Sequence, residues 1–471
     1  MTSTVTPTEL RARFAVILSG LYGREVLAYQ TLVEVAHGVN ADVAARLGGA
    51  AERLGSLDRV TAERHGAVRV GTPTEMAQVA RIFAAMGMHP TGYYDLRDAS
   101  ASSVPVVSTA FRPIDSDELA ANPFRMFTSL LACTDRRFFT ADLSARLQAF
   151  LADRELFSPY LLTLADRAVA DGALSGGDAE EFLTLAAQSF ALSTAPIDRA
   201  WYTELEHVSA VAADIGGVKS THINHLTPRV LDIDALYARM SERGITMIDA
   251  IQGPPRWAGP DVLLRQTSFK ALAEPRQFQD RDGTVSEGSL RVRFGEVEAR
   301  GIALTPEGRA RYDRAVADAD AAGAEGTEGA EGAEGAAAVW AKHFPSSETE
   351  LFASGLGVYT VRAVTDRSRD GDEPEGSLED LIREGWLQTE PVVYEDFLPR
   401  SAAGIFQSNL TNAGSKDATV EGADLDAAWL EGVLDRSLND PFDLYEEQRR
   451  ASVDAALRQL DVHPRQERVD A

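Results

Sequence analysis

Apolar residues recur at helical spacing near the start of the chain. Leu10, Phe14, Leu18 and Leu21 lie three or four positions apart, which is the period of an amphipathic helix. Residues 6–9 (TPTE) precede them and are typical of a helix start, because Thr caps, Pro suits the first turn and Glu completes a capping box. Further helical spacing over about 26–56 extends the pattern, which predicts an N-terminal helical segment over residues 1–60.

The pattern changes near residue 61, where short β-branched runs surround one amphipathic helix. Residues 65–71 are short, β-branched and bounded by glycine, which predicts a strand. The same cap signature then opens a helix over 72–87, and residues 93–96 and 104–111 predict two further strands. This β-α-β-β order predicts a first module over residues 61–114.

The same order returns later in the chain. The predicted elements are a strand at 218–226, a capped helix at 232–244, and strands at 262–269 and 289–298. These elements predict a second module over residues 213–312. Residues 115–212 are rich in Ala and Leu at helical spacing and predict a helical insertion between the modules. Two copies of one unit indicate a pseudo-symmetric α+β fold, although the two halves share no clear sequence identity.

The last third of the chain is less regular. Residues 313–340 contain an acidic, glycine-rich tract that predicts a solvated surface loop. Aromatic residues return over 341–440, which we expect to be a C-terminal region that completes the site. A polar helical tail is expected over 441–471.

Composition and charge exclude several classes of function. The chain has 46 Lys and Arg against 72 Asp and Glu, a net charge of −26, which argues against nucleic-acid and anionic-membrane partners. The early apolar run is far shorter than a membrane span, and no secretory signal surrounds it. Cys133 is the single cysteine, so internal disulfides and cysteine-based metal sites are excluded and a cytoplasmic location is expected. Metal chemistry would have to use the eight histidines and the carboxylates.

Histidines occur on the first predicted strand of each module. His65 and Arg69 are four positions apart on a strand, so both side chains point to one face. His222 and His225 are three apart and would face opposite sides, so at most one of them would bind an ion with His65. A strand-edge histidine beside a surface arginine would produce the same pattern without any function.

Carboxylates on the last predicted strand could complete a metal site. Glu296, Glu298 and Arg300 share one face, which is usually a solvent face when charges of both signs alternate. Two histidines and one of these glutamates would make a 2-His-1-carboxylate set, which suits Fe(II) oxygen chemistry. The spacing excludes a local metal motif such as HExxH, so the fold would have to assemble the ligands.

Four segments, at residues 64–69, 224–229, 294–301 and 394–406, resemble the 2-oxoadipate dioxygenase/decarboxylase family. The resemblance extends over roughly residues 10–440. It implies the vicinal-oxygen-chelate fold of paired βαβββ modules and a non-haem Fe(II) enzyme. It also implies a reaction, in lysine or amino-acid catabolism, that converts 2-oxoadipate and O₂ to 2-hydroxyglutarate and CO₂.

The resemblance also implies roles for individual residues. His65, His225 and Glu296 would be the iron ligands, and Arg69 would bind a substrate carboxylate. Glu296 is preferred over Glu298 because residues 294–300 match the opening and the end of the ligand strand in the related 4-hydroxyphenylpyruvate dioxygenases. The turn with Arg400 and Ser401 resembles a second substrate-contacting segment. The acidic tract has no counterpart in the family pattern and is expected to be a surface insertion.

Two alternatives remain open from the sequence. The first is another metal-dependent isomerase or lyase of the same fold, and consumption of O₂ would distinguish it. The second is a non-catalytic protein that binds 2-oxo acids. The oligomeric state has no signature in the sequence.

Overall fold

A computed structural model describes residues 4–98, 104–291, 293–325, 330–366, 373–399, 409, 416–417 and 419–462. The N-terminal segment consists of β1 (Thr4–Val5), α1 (Pro7–Glu25), α2 (Leu27–Leu47) and α3 (Leu57–Ala62), with a 3₁₀ turn at Gly48–Glu52. Thr6 and Glu9 form the expected capping box at the start of α1. The helical pattern of this segment is therefore confirmed.

The first module has one more strand than the sequence pattern indicated. Its elements are β2 (Arg64–Val70), α4 (Pro73–Ala84), β3 (His89–Asp95), β4 (Val106–Arg112), α5 (Ser116–Ala121) and β5 (Arg125–Leu131). β5 pairs parallel with β2 and antiparallel with β4. The module is thus a complete βαβββ unit that ends near residue 131, so the prediction that the helical insertion begins at residue 115 was wrong. All seven residues of β5 are buried, so it has no polar alternation to mark it as a strand.

The remaining insertion is helical apart from two short strands. It contains α6 (Ala141–Ala152), α7 (Pro159–Asp171), β6 (Leu174–Ser175), α8 (Gly176–Ser189), β7 (Ile197–Asp198), α9 (Arg199–Glu206) and α10 (Ala210–Gly216). β6 pairs with β1, which fastens the insertion to the start of the described chain.

The second module repeats the first with one strand reduced. It contains β8 (Ile223–Pro228), α11 (Ile233–Glu242), β9 (Leu264–Phe269), β10 (Glu274–Gln279), β11 (Val285–Leu290) and β12 (Gly295–Arg300). Between α11 and β9, in the place that β3 has in the first module, two isolated β-bridges join Met247 and Gln252 to residues of β9. β10 and β11 form a hairpin that pairs with β7. The single strand predicted over 289–298 is therefore two strands, one in this hairpin and one beside β9.

The two modules meet through their first strands. β2 pairs antiparallel with β8 at the end of a five-stranded sheet with the order β3-β4-β5-β2-β8. β12 continues this arrangement, because Arg229 just after β8 bridges to Glu298. The repeated α+β fold is confirmed, and its central seam places β2, β8 and β12 side by side.

The C-terminal part contains further helices and a two-stranded sheet. The elements are α12 (Pro306–Glu325), α13 (Ala330–His343), α14 (Glu348–Ala353), β13 (Tyr359–Ala363), α15 (Leu378–Arg383), β14 (Leu387–Pro391), α16 (Ala427–Leu434) and α17 (Pro441–Leu460). Among the helices of the described ranges, none has the length and apolar character needed to cross a membrane.

The prediction of a loop over 313–340 was wrong for the described residues, which belong to α12 and α13. Trp340 is fully buried, and its ring packs edge-on against Tyr312 of α12 with centroids 5.4 Å apart. Alanine and glutamate are good helix formers, and this aromatic contact anchors the two helices to each other.

Candidate metal centre

Three neighbouring strands bring His65, His225 and Glu296 together. His65 is on β2, His225 on β8 and Glu296 on β12, and one ligand atom from each lies within 4.8 Å of the other two. All three residues are buried. Gly295 allows β12 to pack closely on Phe269 of β9, because a Cβ at this position would lie 1.8 Å from the Phe269 ring.

The donor atoms of the three side chains converge on one point. His65 Nε2 is 3.7 Å from Glu296 Oε1, and His225 Nε2 is 3.6 Å from Glu296 Oε2. The two imidazole rings are nearly perpendicular, with centroids 5.4 Å apart. Two imidazole nitrogens and a carboxylate are a donor set that suits first-row transition metals.

The electrostatics of the cluster also fit a cation. Burial raises the pKa of Glu296 well above its usual range, and the adjacent Glu298 carboxylate raises it further. Burial lowers the pKa of His225 well below its usual range, so its ring is neutral and can donate a lone pair. Within the described ranges, Glu296 has no ion pair with Lys or Arg. A buried carboxylate without a cation is costly, and a divalent metal at this point would supply the missing charge.

Further contacts fix how the ligand side chains point. His65 Nδ1 lies 3.1 Å from Glu298 Oε2, and His225 Nδ1 lies 3.0 Å from Thr227 Oγ1. Both contacts leave Nε2 facing Glu296, which also accepts a hydrogen bond from Gln266. Such partners set the tautomer and orientation of metal-binding imidazoles.

Glu298 has a different environment from Glu296 although both side chains face inward. Arg300 donates two hydrogen bonds to Glu298, at 2.7 and 3.0 Å. This guanidinium and His65 outweigh the effect of burial and hold the pKa of Glu298 far below its usual range. The structure therefore places Glu296 among the two imidazoles and Glu298 behind one of them. The expectation that this alternating face would usually meet solvent does not hold, since Glu296, Glu298 and Arg300 are all buried.

Arg300 also belongs to a buried network of charges that reaches the C-terminal region. Its NH1 group donates to the carbonyl oxygens of Tyr394 and Asp396, at 2.7 and 3.1 Å. The other members of the network alternate in charge and are Glu63, Arg229, Arg125, Glu395 and Arg59. The Phe397 ring, next along this segment, packs on His65 with centroids 4.9 Å apart. The C-terminal region thus packs against the candidate metal centre.

Arg69 lies on the same strand as His65 and is also buried. Its NH1 group is 2.5 Å from Asp214 Oδ2, an ion pair that the sequence pattern gave no means of finding. Asp214 belongs to α10, 145 residues away along the chain. Burial opposes ionisation of Asp214, but His222 and Arg69 outweigh it and hold its pKa well below the usual range.

His222 precedes β8 and is not part of the group formed by His65, His225 and Glu296. The pairing of β2 with β8 skips Asn224, because Ala67 faces His225 while Val68 faces Ile223. This bulge turns His222 toward Asp214, with Nε2 3.3 Å from Oδ1. Of the two histidines that the sequence left open, His225 is the one beside His65. Arg400 and Ser401 lie outside the described residues.

Comparisons with known proteins agree with this architecture. The family model for 2-oxoadipate dioxygenase/decarboxylase matches residues 14–409. A protein of that name from Mycobacterium tuberculosis is 58% identical over 93% of this chain and 96% of its own length. One from Pseudomonas putida is 40% identical over 97% of this chain and 98% of its own length. The crystal structure of the Pseudomonas putida hydroxyglutarate synthase in complex with 2-oxoadipate superposes with a TM-score of 0.84 at 37% identity, covering 98% of this chain and 100% of that one.

The fold and the buried His₂Glu cluster define a two-module α+β protein with a candidate metal centre at the seam between its modules. With these matches, the chain belongs to the 2-oxoadipate dioxygenase/decarboxylase family.

Proposed function

We propose that this chain is an Fe(II)-dependent dioxygenase that converts 2-oxoadipate and O₂ to 2-hydroxyglutarate and CO₂. The atoms balance, because both oxygen atoms of O₂ are retained in the two products. The observation that carries the proposal is the convergence of His65, His225 and Glu296 in one buried cluster of a chain from this family. A 2-His-1-carboxylate set with open positions is typical of non-haem Fe(II) oxygenases.

Fe(II) at this donor set would leave coordination positions for the 2-oxo acid and for dioxygen, and would activate both. The residues of the chain supply the geometry around it. Glu298 and Thr227 hold the two imidazoles, and Gln266 holds Glu296. Phe397, whose ring packs edge-to-face with that of His65, shields one side of the cluster from water, which would strengthen the electrostatic contacts among the three ligands.

Arg69 is the proposed partner of the substrate carboxylate that lies farthest from the keto group. The chelating end of a 2-oxo dicarboxylic acid would face the metal, so the other carboxylate needs a cation in a buried pocket. Arg69 carries several donors in a fork, and its NH1 group is already held by Asp214. Asp214 thus acts as a positioning residue for Arg69. Arg400 and Ser401 are proposed as a second substrate contact on the family resemblance alone.

A cytoplasmic location is part of the proposal. Cys133 is a free, buried thiol, which suits a reducing compartment.

The test is to load the purified protein with Fe(II) without oxygen and then to measure O₂ uptake and CO₂ release over a panel of 2-oxo acids. We expect 2-oxoadipate to be the best substrate, with one O₂ consumed for each CO₂ released. His65→Ala, His225→Ala and Glu296→Ala should each lose bound iron and turnover while remaining folded by circular dichroism. Glu287→Gln, which changes an exposed carboxylate on β11, is the matched control.

Other outcomes would favour the alternatives. Turnover of a 2-oxo acid without O₂ consumption would indicate an isomerase or lyase. Binding of 2-oxoadipate without any turnover of the iron-loaded protein would indicate a non-catalytic binding protein.

A further inference from the structure

A cavity of about 440 Å³ lies between the helical insertion and the β10–β11 hairpin. Its walls include Phe150 of α6, Lys219 and His222 before β8, and Arg276 of β10. None of these residues has a role in the function proposed above. The cavity is a distinct feature that needs its own account.

The inner wall of this cavity is formed by His222, behind which lie Asp214 and then Arg69. His222 is 4% exposed and lines the cavity, and its Nε2 is 3.3 Å from Asp214 Oδ1. The other carboxylate oxygen of Asp214 is 2.5 Å from Arg69 NH1. The side chains of His222 and Asp214 therefore separate the cavity from Arg69, the residue proposed to bind the substrate carboxylate.

The charges on the cavity wall oppose the charge of the protein as a whole. The chain carries a net charge of −26, so a dianionic substrate is repelled by most of the surface. Among the described residues that line the cavity, Lys219 and Arg276 face one carboxylate, Asp198; a second, Asp214, lies behind His222 and is paired with Arg69. A cleft lined by one sign of charge concentrates ligands of the opposite sign and raises their association rate.

The two cations have unused capacity for an anion. In the described part of the chain, Lys219 forms no ion pair, and Arg276 Nε and NH2 have no hydrogen-bond partner. Arg276 NH2 is 3.9 Å from Glu274 Oε2, too far for a hydrogen bond, and Glu274 is already bound to Arg293 at 2.5 Å. Lys219 is exposed and can meet a passing carboxylate, whereas these two nitrogen atoms of Arg276 are buried, so Arg276 acts on the anion through its positive charge.

We infer that this cavity is the entrance through which a 2-oxo dicarboxylate reaches Arg69, and that Lys219 and Arg276 attract its carboxylates on the way in. The inference rests on the proposed function, since it takes the same substrate. His222 and Asp214 form the inner end of the entrance. The two cations act on the approach of the substrate and not on the chemical step.

The test is the double substitution Lys219→Gln with Arg276→Gln. Association of 2-oxoadipate with the iron-loaded protein is followed without O₂ by stopped-flow tryptophan fluorescence, since Trp201 packs on Phe150 with ring centroids 5.8 Å apart. We expect the association rate at low salt to fall about 10-fold and its dependence on salt to weaken. The value of kcat/KM should fall in parallel, while kcat changes less than about two-fold. The monoanion 2-oxohexanoate should be affected less.

A matched control removes two positive charges elsewhere. Lys270 and Arg383 are exposed and line none of the cavity, so Lys270→Gln with Arg383→Gln should leave the association rate unchanged. A second variant, Ser220→Trp, fills the cavity with an indole and should slow both substrates.

The outcomes separate the two proposals. If the parent protein neither binds nor turns over 2-oxoadipate, the proposed function is wrong, and the proposal of an entrance for this substrate is wrong as well. If the parent binds 2-oxoadipate but the two double variants have equal association rates, the entrance is wrong and the proposed function stands. Unchanged rates in Ser220→Trp would also overturn the entrance.

Discussion

Glu298 lies behind His65, with its Oε2 atom 3.1 Å from the Nδ1 atom of the ring. The carboxylate is held in turn by two hydrogen bonds from Arg300. His65 is therefore fixed on the side away from Glu296, and its Nε2 faces the proposed metal position. This relationship assigns different roles to two glutamates that are two residues apart.

Glu298→Gln should weaken metal binding about 10- to 100-fold without abolishing it, because an amide orients the ring less firmly than a carboxylate. The measurement is a titration of the metal-free protein with Co(II), followed by absorbance. Glu287→Gln serves again as the control. Complete loss of metal in Glu298→Gln, with retention in Glu296→Gln, would show that the ligand is Glu298.

Arg69→Ala should keep the metal but lower kcat/KM for 2-oxoadipate by on the order of 2–4 kcal/mol, the scale of losing one partner of a buried charge pair. Arg69→Lys should restore only part of the loss, since a point charge does not reproduce the fork. The check is to compare 2-oxoadipate with 2-oxohexanoate, which lacks the second carboxylate and should respond little. An equal loss on both substrates would mean that Arg69 does not bind the distal carboxylate.

Asp214→Asn should destabilise the protein by about 3 kcal/mol at neutral pH, because it leaves Arg69 buried without its ion pair. The pKa of Asp214 is depressed in the folded state, so its stabilising effect is fully present above the unfolded pKa of about 3.9. As pH falls below that value, the effect is progressively lost. Urea unfolding of both proteins from pH 7 to pH 3 should show the difference shrinking at the acid end. A difference that stays constant with pH would contradict the ion pair.

Trp340→Ala should lower the free energy of unfolding by about 3–5 kcal/mol, because a fully buried indole is replaced by a cavity. Metal affinity of the folded variant should be unchanged, since Trp340 packs against Tyr312 and Phe344, away from the three candidate ligands. Urea unfolding gives the stability, and Lys342→Ala on the exposed side of the same helix is the control. A loss of stability below 1 kcal/mol would show that α12 and α13 contribute little to the core.

The sequence predicted the elements whose signals are local. The capping boxes at Thr6 and Thr72 mark real helix starts, and β2 lies where the short β-branched run indicated. The pairing of His65 with Glu296 across two modules came from the repeat and the family resemblance. The cap and strand signals lie within a few residues, whereas the grouping of His65 with Glu296 needed the comparison of two distant modules.

The remaining features depend on contacts between distant segments. A wholly buried strand such as β5 carries a continuous apolar run, which does not distinguish it from a buried helix. The ion pair between Arg69 and Asp214 joins residues far apart in sequence, and no spacing rule connects them. Strand period alone put Glu296 and Glu298 on one face, and only the position of Arg300 separates them.

The pairing of β2 with β8 also bears on how the protein acquires its metal. The three candidate ligands come from both modules, so no growing stretch of chain holds the site before the second module has been made. Insertion of an ion at all three residues would therefore have to follow synthesis of both modules. Once bound, the ion would link the two modules and stabilise their pairing, because a shift of β2 along β8 would move His65 away from His225 and cost the ion one of its ligands.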